Sequence, residues 1–280
     1  MTADPIPAVA EADAVGETAE IFEDLRTTLG LPFVNLIWRH LATVPGALPA
    51  VWDTVKPLYG TEVLRERVAA IREEARAAQL DGLPGHVWDA LGVGPDTRRG
   101  VAEVIDDYNH ANSVNFLVMT TVAAVLHGAA AGPAAPGRPA PAAPWPSPPR
   151  TGAPPLPSMS ALTPDLQALV RAADELGRLG PGVAHASLYR HLTLWPPFLA
   201  TAYVALLPSH REGVLQATQR RLLERARRVA VDDLLPLLDA ERLDIGGAAR
   251  RTAQESVDEF ATLMIGRMVV TGTAMRGLLG

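Results

Sequence analysis

The sequence predicts an all-α fold made of two similar helical repeats, packed as an intramolecular pseudo-dimer and joined by a proline-rich linker. Three observations carry that expectation. Apolar residues recur at helical spacing in both halves, a proline-rich segment divides the chain near its midpoint, and one half lies over the other without a gap at an offset of 188 − 37 = 151 residues. No run combines period-two alternation with β-branched enrichment, the mark of a half-buried strand.

In chain order, a helix is expected over 15–29. Leu36, Ile37, Leu41 and Val44 space a short helix that stops at Pro45, and Leu48, Val51, Trp52 and Val55 space another that stops before Pro57. Residues 63–80 (VLRERVAAIREEARAAQL) are strongly amphipathic, with Glu/Arg faces. Helices over 84–91 and 96–127 complete the first repeat, 1–132. Residues 133–157 hold eleven of the chain's 25 prolines and can form neither helix nor central strand. Such a segment is polyproline-like and reaches up to ~3.1 Å per residue, enough to cross a folded unit. The second repeat, 158–280, is expected to carry helices over 163–179, 231–238 and 247–278, besides those aligned with the first half.

The alignment of 36–76 with 187–227 contains eleven identities in 41 positions, among them Arg39/Arg190, His40/His191 and Leu41/Leu192 in a row. Trp38 and Trp52 fall on Tyr189 and Tyr203. Eleven matches, three of them consecutive, exceed shared composition and indicate duplication.

Composition narrows the function classes. With 280 residues, 48% hydrophobic, 20% charged and a net charge of −6, the chain has the makeup of a globular protein and no general attraction for nucleic acid or anionic membrane. The absence of cysteine excludes disulfides, thiolate nucleophiles, iron–sulfur clusters and cysteine-ligated zinc. The acidic start has no basic region ahead of an apolar run, so no signal peptide and a cytoplasmic location are expected. Val114 to Leu126 and Leu263 to Val270 are too short and too polar to span about 30 Å of hydrocarbon.

Seven scattered histidines form no metal-ligand pair, and no glycine-rich phosphate loop is present, so neither metal nor cofactor is expected. Duplication of His40 as His191 favours a structural role for both. Lys56, the single lysine, sits beside Pro57 as at a helix end. Ser187 suits a helix N-cap or a site. The stretch Asp106 to Asn115 sets many polar groups at the mouth of an apolar helix, and Asn112 and Asn115 share a face as i and i+3. Buried amides need partners, which either a substrate or a neighbouring helix supplies.

The whole chain resembles the all-α, cofactor-independent 2-haloacid dehalogenases that accept both enantiomers, often called group I. ETAEIFEDLRTTLGLPFVNLIWRHLATVPG at 17–46, the proline-rich midpoint and SLYRHLTLWPPFLATAY at 187–203 carry the likeness. The resemblance implies a site between two repeats, a homodimer or hetero-oligomer, a substituted carboxylic acid as substrate, and an aspartate that activates water. The family's Ser-Asp-Tyr falls on Ser187, Leu188 and Tyr189, so leucine stands at the aspartate's position. Removing a general base forfeits about 10²–10⁴-fold in rate. Asn112, with Asn115 beside it, matches the family's asparagine, and Phe33, Val34 and Ile37 match its apolar cradle. Three readings follow: displacement at a saturated carbon by a nucleophile within the substrate, such as ring closure; hydrolysis with another base, His185 first and Asp106, Asp107 or Asp53 after it; or a non-catalytic relative that binds a small acid or a protein partner.

Overall fold

The computed structural model describes residues 6–130, 145, 154–181 and 185–280. Helix α1 (Gly16–Leu29) ends at Gly30, whose φ of +64° lets its N–H reach back to the Arg26 and Thr27 carbonyls. Short α2 (Leu36–Leu41) and α3 (Ala47–Tyr59) follow, then α4 (Glu62–Ala75), where the Thr61 hydroxyl caps the Leu64 N–H at 3.2 Å. Next come α5 (Gly85–Ala90) and α6 (Pro95–Leu126). The second half runs α7 (Pro164–Asp174), α8 (Ser187–Leu192), α9 (Pro196–Arg211), α10 (Val214–Val229), α11 (Gly247–Glu259) and α12 (Gly266–Gly277). No strand occurs among the described residues.

Every residue of α6 from Ala111 to Val122 is buried, which places this apolar segment along the centre of the molecule. Helices α12, α11, α10 and α4 pack around it. Equivalent helices start at nearly constant separation: α8 follows α2 by 187 − 36 = 151 residues, α10 follows α4 by 214 − 62 = 152, and α11 follows α6 by 247 − 95 = 152.

Several boundaries differ from expectation. Pro57 and Pro208 lie inside α3 and α9 instead of ending them. A proline leaves the carbonyl four residues earlier without its helical donor; here those carbonyls belong to the exposed Asp53 and Val204, where water can serve them. The helix expected over 63–80 stops at Ala75 and continues as a 3₁₀ turn, Arg76–Ala78. The one expected over 163–179 stops at Asp174, before the left-handed Gly177 with φ +72°. Residues 231–238 are not an α-helix but a π turn (Ala230–Leu234) and a 3₁₀ turn (Leu235–Leu237) around Pro236. The single helix expected over 247–278 is interrupted by a π turn at Phe260–Ile265. Most of the 133–157 linker lies outside the described residues. Trp145 is buried, its ring 5.2 Å from that of His110 and 5.2 Å from the Arg65 guanidinium carbon.

The end of α12 docks on the segment before α5. The Leu278 carbonyl accepts from Leu83 N–H at 3.0 Å and from the Trp88 indole at 3.2 Å, and a Cβ at Gly277 would collide with the Leu80 backbone carbonyl. Gly277→Ala is therefore expected to destabilise the protein by about 1–3 kcal/mol, read as a lower urea midpoint with unchanged slope.

Candidate functional site

Asn115, 1% exposed on α6, ties α2 to the core. Its carbonyl oxygen accepts from the Trp38 indole at 3.1 Å and from the Tyr59 hydroxyl at 3.5 Å, and its amide donates to the Asn35 side chain at 3.0 Å. Both ends of the amide are thus used by the protein. Across the molecule the start of α8 is held by Asp174, which accepts from the Ala186 N–H at 3.0 Å and pairs with the guanidinium of the buried Arg267. Between these two anchored helix starts lies a cavity of about 460 Å³.

Its walls come from both halves. Phe33, Val34 and Ile37 line one side, Ser187 and Leu188 the other, Asn112 and Asn115 the floor, and Phe260, Met264 and Met268 complete the apolar wall. Phe33 stacks on Tyr108 at 4.7 Å. Burial pushes the Tyr108 hydroxyl far above its ordinary pKa, with Arg190 and Arg39 opposing the shift, so the phenol stays neutral. Arg39 and Arg190 are cavity residues themselves and occupy the same place in the two aligned segments. The carboxylate at the rim, Glu11, is committed to the protein: it accepts from the Val34 N–H at 3.0 Å and from Arg26 at 2.8 Å.

Three lining residues carry buried polar atoms that no side chain satisfies. They are the Asn112 amide nitrogen, the Ser187 hydroxyl and the imidazole of His191. Buried groups of this kind call for a partner, and all of these face one cavity. The aligned histidines have parted in role. His40 is fixed by the Pro7 carbonyl at 2.7 Å and the Ser256 hydroxyl at 2.8 Å, whereas His191 is 3% exposed and no side chain hydrogen-bonds to either ring nitrogen. Burial lowers the His191 pKa, and the Pro154 carbonyl only partly offsets it.

Of the residues singled out in the sequence, Phe33, Val34, Ile37, Asn112, Asn115, Ser187 and Leu188 meet at this cavity. Tyr189 sits behind the wall, fully buried, donating to Thr271 at 3.1 Å; burial raises its pKa to about 12. His185 is not among the described lining residues; its Nδ1 lies 2.7 Å from Asp174, where it serves the clasp under α8. Asp106 pairs with Arg276 at 3.0 Å, Asp53 is exposed, and Asp107 is buried away from the cavity. Lys56 pairs with Asp24 at 2.5 Å near the end of α3.

Sequence reasoning missed Tyr108, Phe260, Met264 and Pro154, and gave His191 a structural role. Phe260 and Met264 reach the cavity through the π turn, whose extra residue rotates the following helix and which leaves no compositional mark. Pro154 belongs to the linker, read as a spacer, although its last residues close one side of the cavity. Among the described residues, no group of three or more His, Asp or Glu is arranged to hold a metal ion, and no helix is long and apolar enough to cross a membrane.

No family model matches the chain. It is 28% identical over 227 residues to a configuration-inverting 2-haloacid dehalogenase of Alcaligenes xylosoxydans xylosoxydans, covering 79% of this chain and 75% of that protein. A configuration-inverting 2-haloacid dehalogenase of Pseudomonas sp. (strain 113) is 26% identical over 208 residues, 70% of this chain and 65% of that one. An (R)-2-haloacid dehalogenase of Pseudomonas putida is 35% identical over 82 residues, 29% of this chain and 27% of its own length. The solved structure of D-2-haloacid dehalogenase with L-LA superposes with a TM-score of 0.84 at 20% identity over 98% of this chain and 96% of that chain. A mutant complex with D-2-CPA gives 0.78 at the same identity and coverage. The protein thus has the all-α fold of the D-2-haloacid dehalogenases. The both-enantiomer subtype that the sequence resembled is not matched: these relatives are configuration-inverting or (R)-specific.

The lowered pKa of His191 links stability to pH. An unfolded chain takes up this proton near pH ~6.5, its ordinary value, while the fold resists it; stability is therefore full above that pH and lost as pH falls through the lower folded value. Thermal melts from pH 8 to pH 4.5 should show this loss, and His191→Gln should flatten the part of the slope just below pH ~6.5.

Proposed function

We propose that the protein is a dehalogenase-like enzyme that displaces a leaving group from the saturated C2 carbon of a small carboxylic acid held in the cavity between α2 and α8. The observation that carries this reading is the set of unsatisfied buried polar atoms on Asn112, Ser187 and His191 around an otherwise largely apolar chamber. A carboxylate and a departing halide would supply the missing partners. Arg39 and Arg190 line the chamber, where a guanidinium suits an anionic substrate, and Phe33, Ile37, Leu188, Phe260 and Met264 suit a short alkyl chain and a halogen. The 2-haloacid dehalogenase relatives favour the same reaction class.

In this reading the amide of Asn112 donates to charge that develops on the leaving group or rests on the carboxylate, and the buried walls exclude competing water. A nucleophile attacks C2 from the face opposite the leaving group, so configuration inverts. Water is the nucleophile in the simplest case. Leucine at position 188, where the resemblance sets an aspartate, also favours a variant in which the nucleophile belongs to the substrate and closes a ring, since orientation alone can supply up to ~7–11 kcal/mol.

The test is halide release from each enantiomer of 2-chloropropionate by the purified wild-type protein. The reading expects turnover of at least one enantiomer and a further rise in Leu188→Asp; silence in both proteins would contradict it. Asn112→Ala is expected to raise KM about 10-fold, equivalent to ~1.4 kcal/mol, if its open amide meets the ligand. An unchanged KM would return Asn112 to a structural role.

A further inference from the structure

We propose that His191 is the proton acceptor of this site, taking the part for which the chain has no carboxylate at position 188. The inference rests on the reading of the cavity as a displacement site. Its geometric basis is a buried imidazole, 3% exposed, that lines the cavity and whose two ring nitrogens no side chain engages. His40, at the aligned position, has both ring nitrogens occupied, by the Pro7 carbonyl and the Ser256 hydroxyl, whereas His191 has only the Pro154 carbonyl beside it. A histidine kept for packing normally finds such partners.

The groups around the ring suit the role. Tyr108 on α6 meets it edge to face at 5.9 Å and stays neutral through burial. Arg190 on its own helix and Arg39 on α2 are the cations of the cavity, and Glu11, the cavity's carboxylate, is held by Arg26 and the Val34 N–H. Burial among these groups keeps the imidazole unprotonated at neutral pH, so a lone pair is ready. The Pro154 carbonyl can hold one N–H and orient the ring, which leaves the other nitrogen to accept.

The step balances as follows. A water oxygen forms a bond to C2 as the carbon–halogen bond breaks, the halide leaves with that electron pair, and His191 takes the proton the water loses. The products are a 2-hydroxy acid, halide and imidazolium, which returns its proton to solvent. No oxidant or further reactant is required.

The experiment is the pH profile of halide release from 2-chloropropionate, for wild type, His191→Asn and the double variant Leu188→Asp/His191→Asn. Wild-type kcat/KM should fall on the acid side with an apparent pKa below the ordinary histidine value. His191→Asn should lose about 10²–10⁴-fold in kcat with KM within about threefold, and the double variant should regain rate by restoring a carboxylate. Should His191→Asn fail to fold, the wild-type profile alone decides: no acid limb between pH 4.5 and 7 overturns the assignment. Turnover by His191→Asn within threefold of wild type overturns it while leaving the displacement reading intact. No halide from wild type at any pH overturns this assignment, and silence from Leu188→Asp as well overturns the displacement reading with it.

Discussion

Burial of Asn115 is the constraint from which the rest of the site follows. A primary amide at the centre of a 32-residue helix costs about 1–3 kcal/mol for each unsatisfied group, so the chain must bring donors and an acceptor to it. Trp38 and Tyr59 serve its oxygen and Asn35 its nitrogen. Those bonds fix α2 against α6, set Phe33 and Ile37 at one wall, and leave Asn112, one turn earlier on α6, pointing at space that no protein atom fills. The opposite wall obeys a parallel rule with different chemistry: Asp174, buried beside Arg267, holds the first residues of α8. Two anchored helix starts facing each other define the chamber.

Positions that align between the two segments differ in what surrounds them at the site. Ile37 and Leu188 correspond and both line the cavity; Arg39 and Arg190 do the same. His40 and His191 correspond in sequence but differ in partners, because Pro7 and Ser256 meet only the first. Trp38 and Tyr189 are both buried, yet one bonds to Asn115 and the other to Thr271. Aligned residues thus have different partners in their different surroundings.

Much of the fold was legible because helical periodicity and buried length are local properties. The helix expected over 96–127 forms as Pro95–Leu126, and the short helices around Pro45 fall where their apolar spacing puts them. Interruptions were not legible: the π turn at Phe260–Ile265, which packs against α6, contains no glycine or proline to mark it. Pro57 was read as a stop because proline removes a helical N–H, but here, as at Pro208, the freed carbonyl lies on an exposed face. The cavity's near wall was legible through Phe33, Ile37 and Asn112. Its chemistry was less so, since the alignment argued for a structural His191, and only the third dimension reveals that it lacks side-chain partners.

The central claim is that a small carboxylate lies between α2 and α8 with its C2 carbon toward His191. A crystal of wild-type protein soaked with 2-chloropropionate tests it most directly. The account predicts the carboxylate within hydrogen-bonding distance of Arg39, Arg190, Ser187 or Asn112, the alkyl group against Phe33 and Leu188, and C2 or a water beside it facing the imidazole. A ligand bound elsewhere, with this chamber empty at concentrations that saturate halide release, would contradict it.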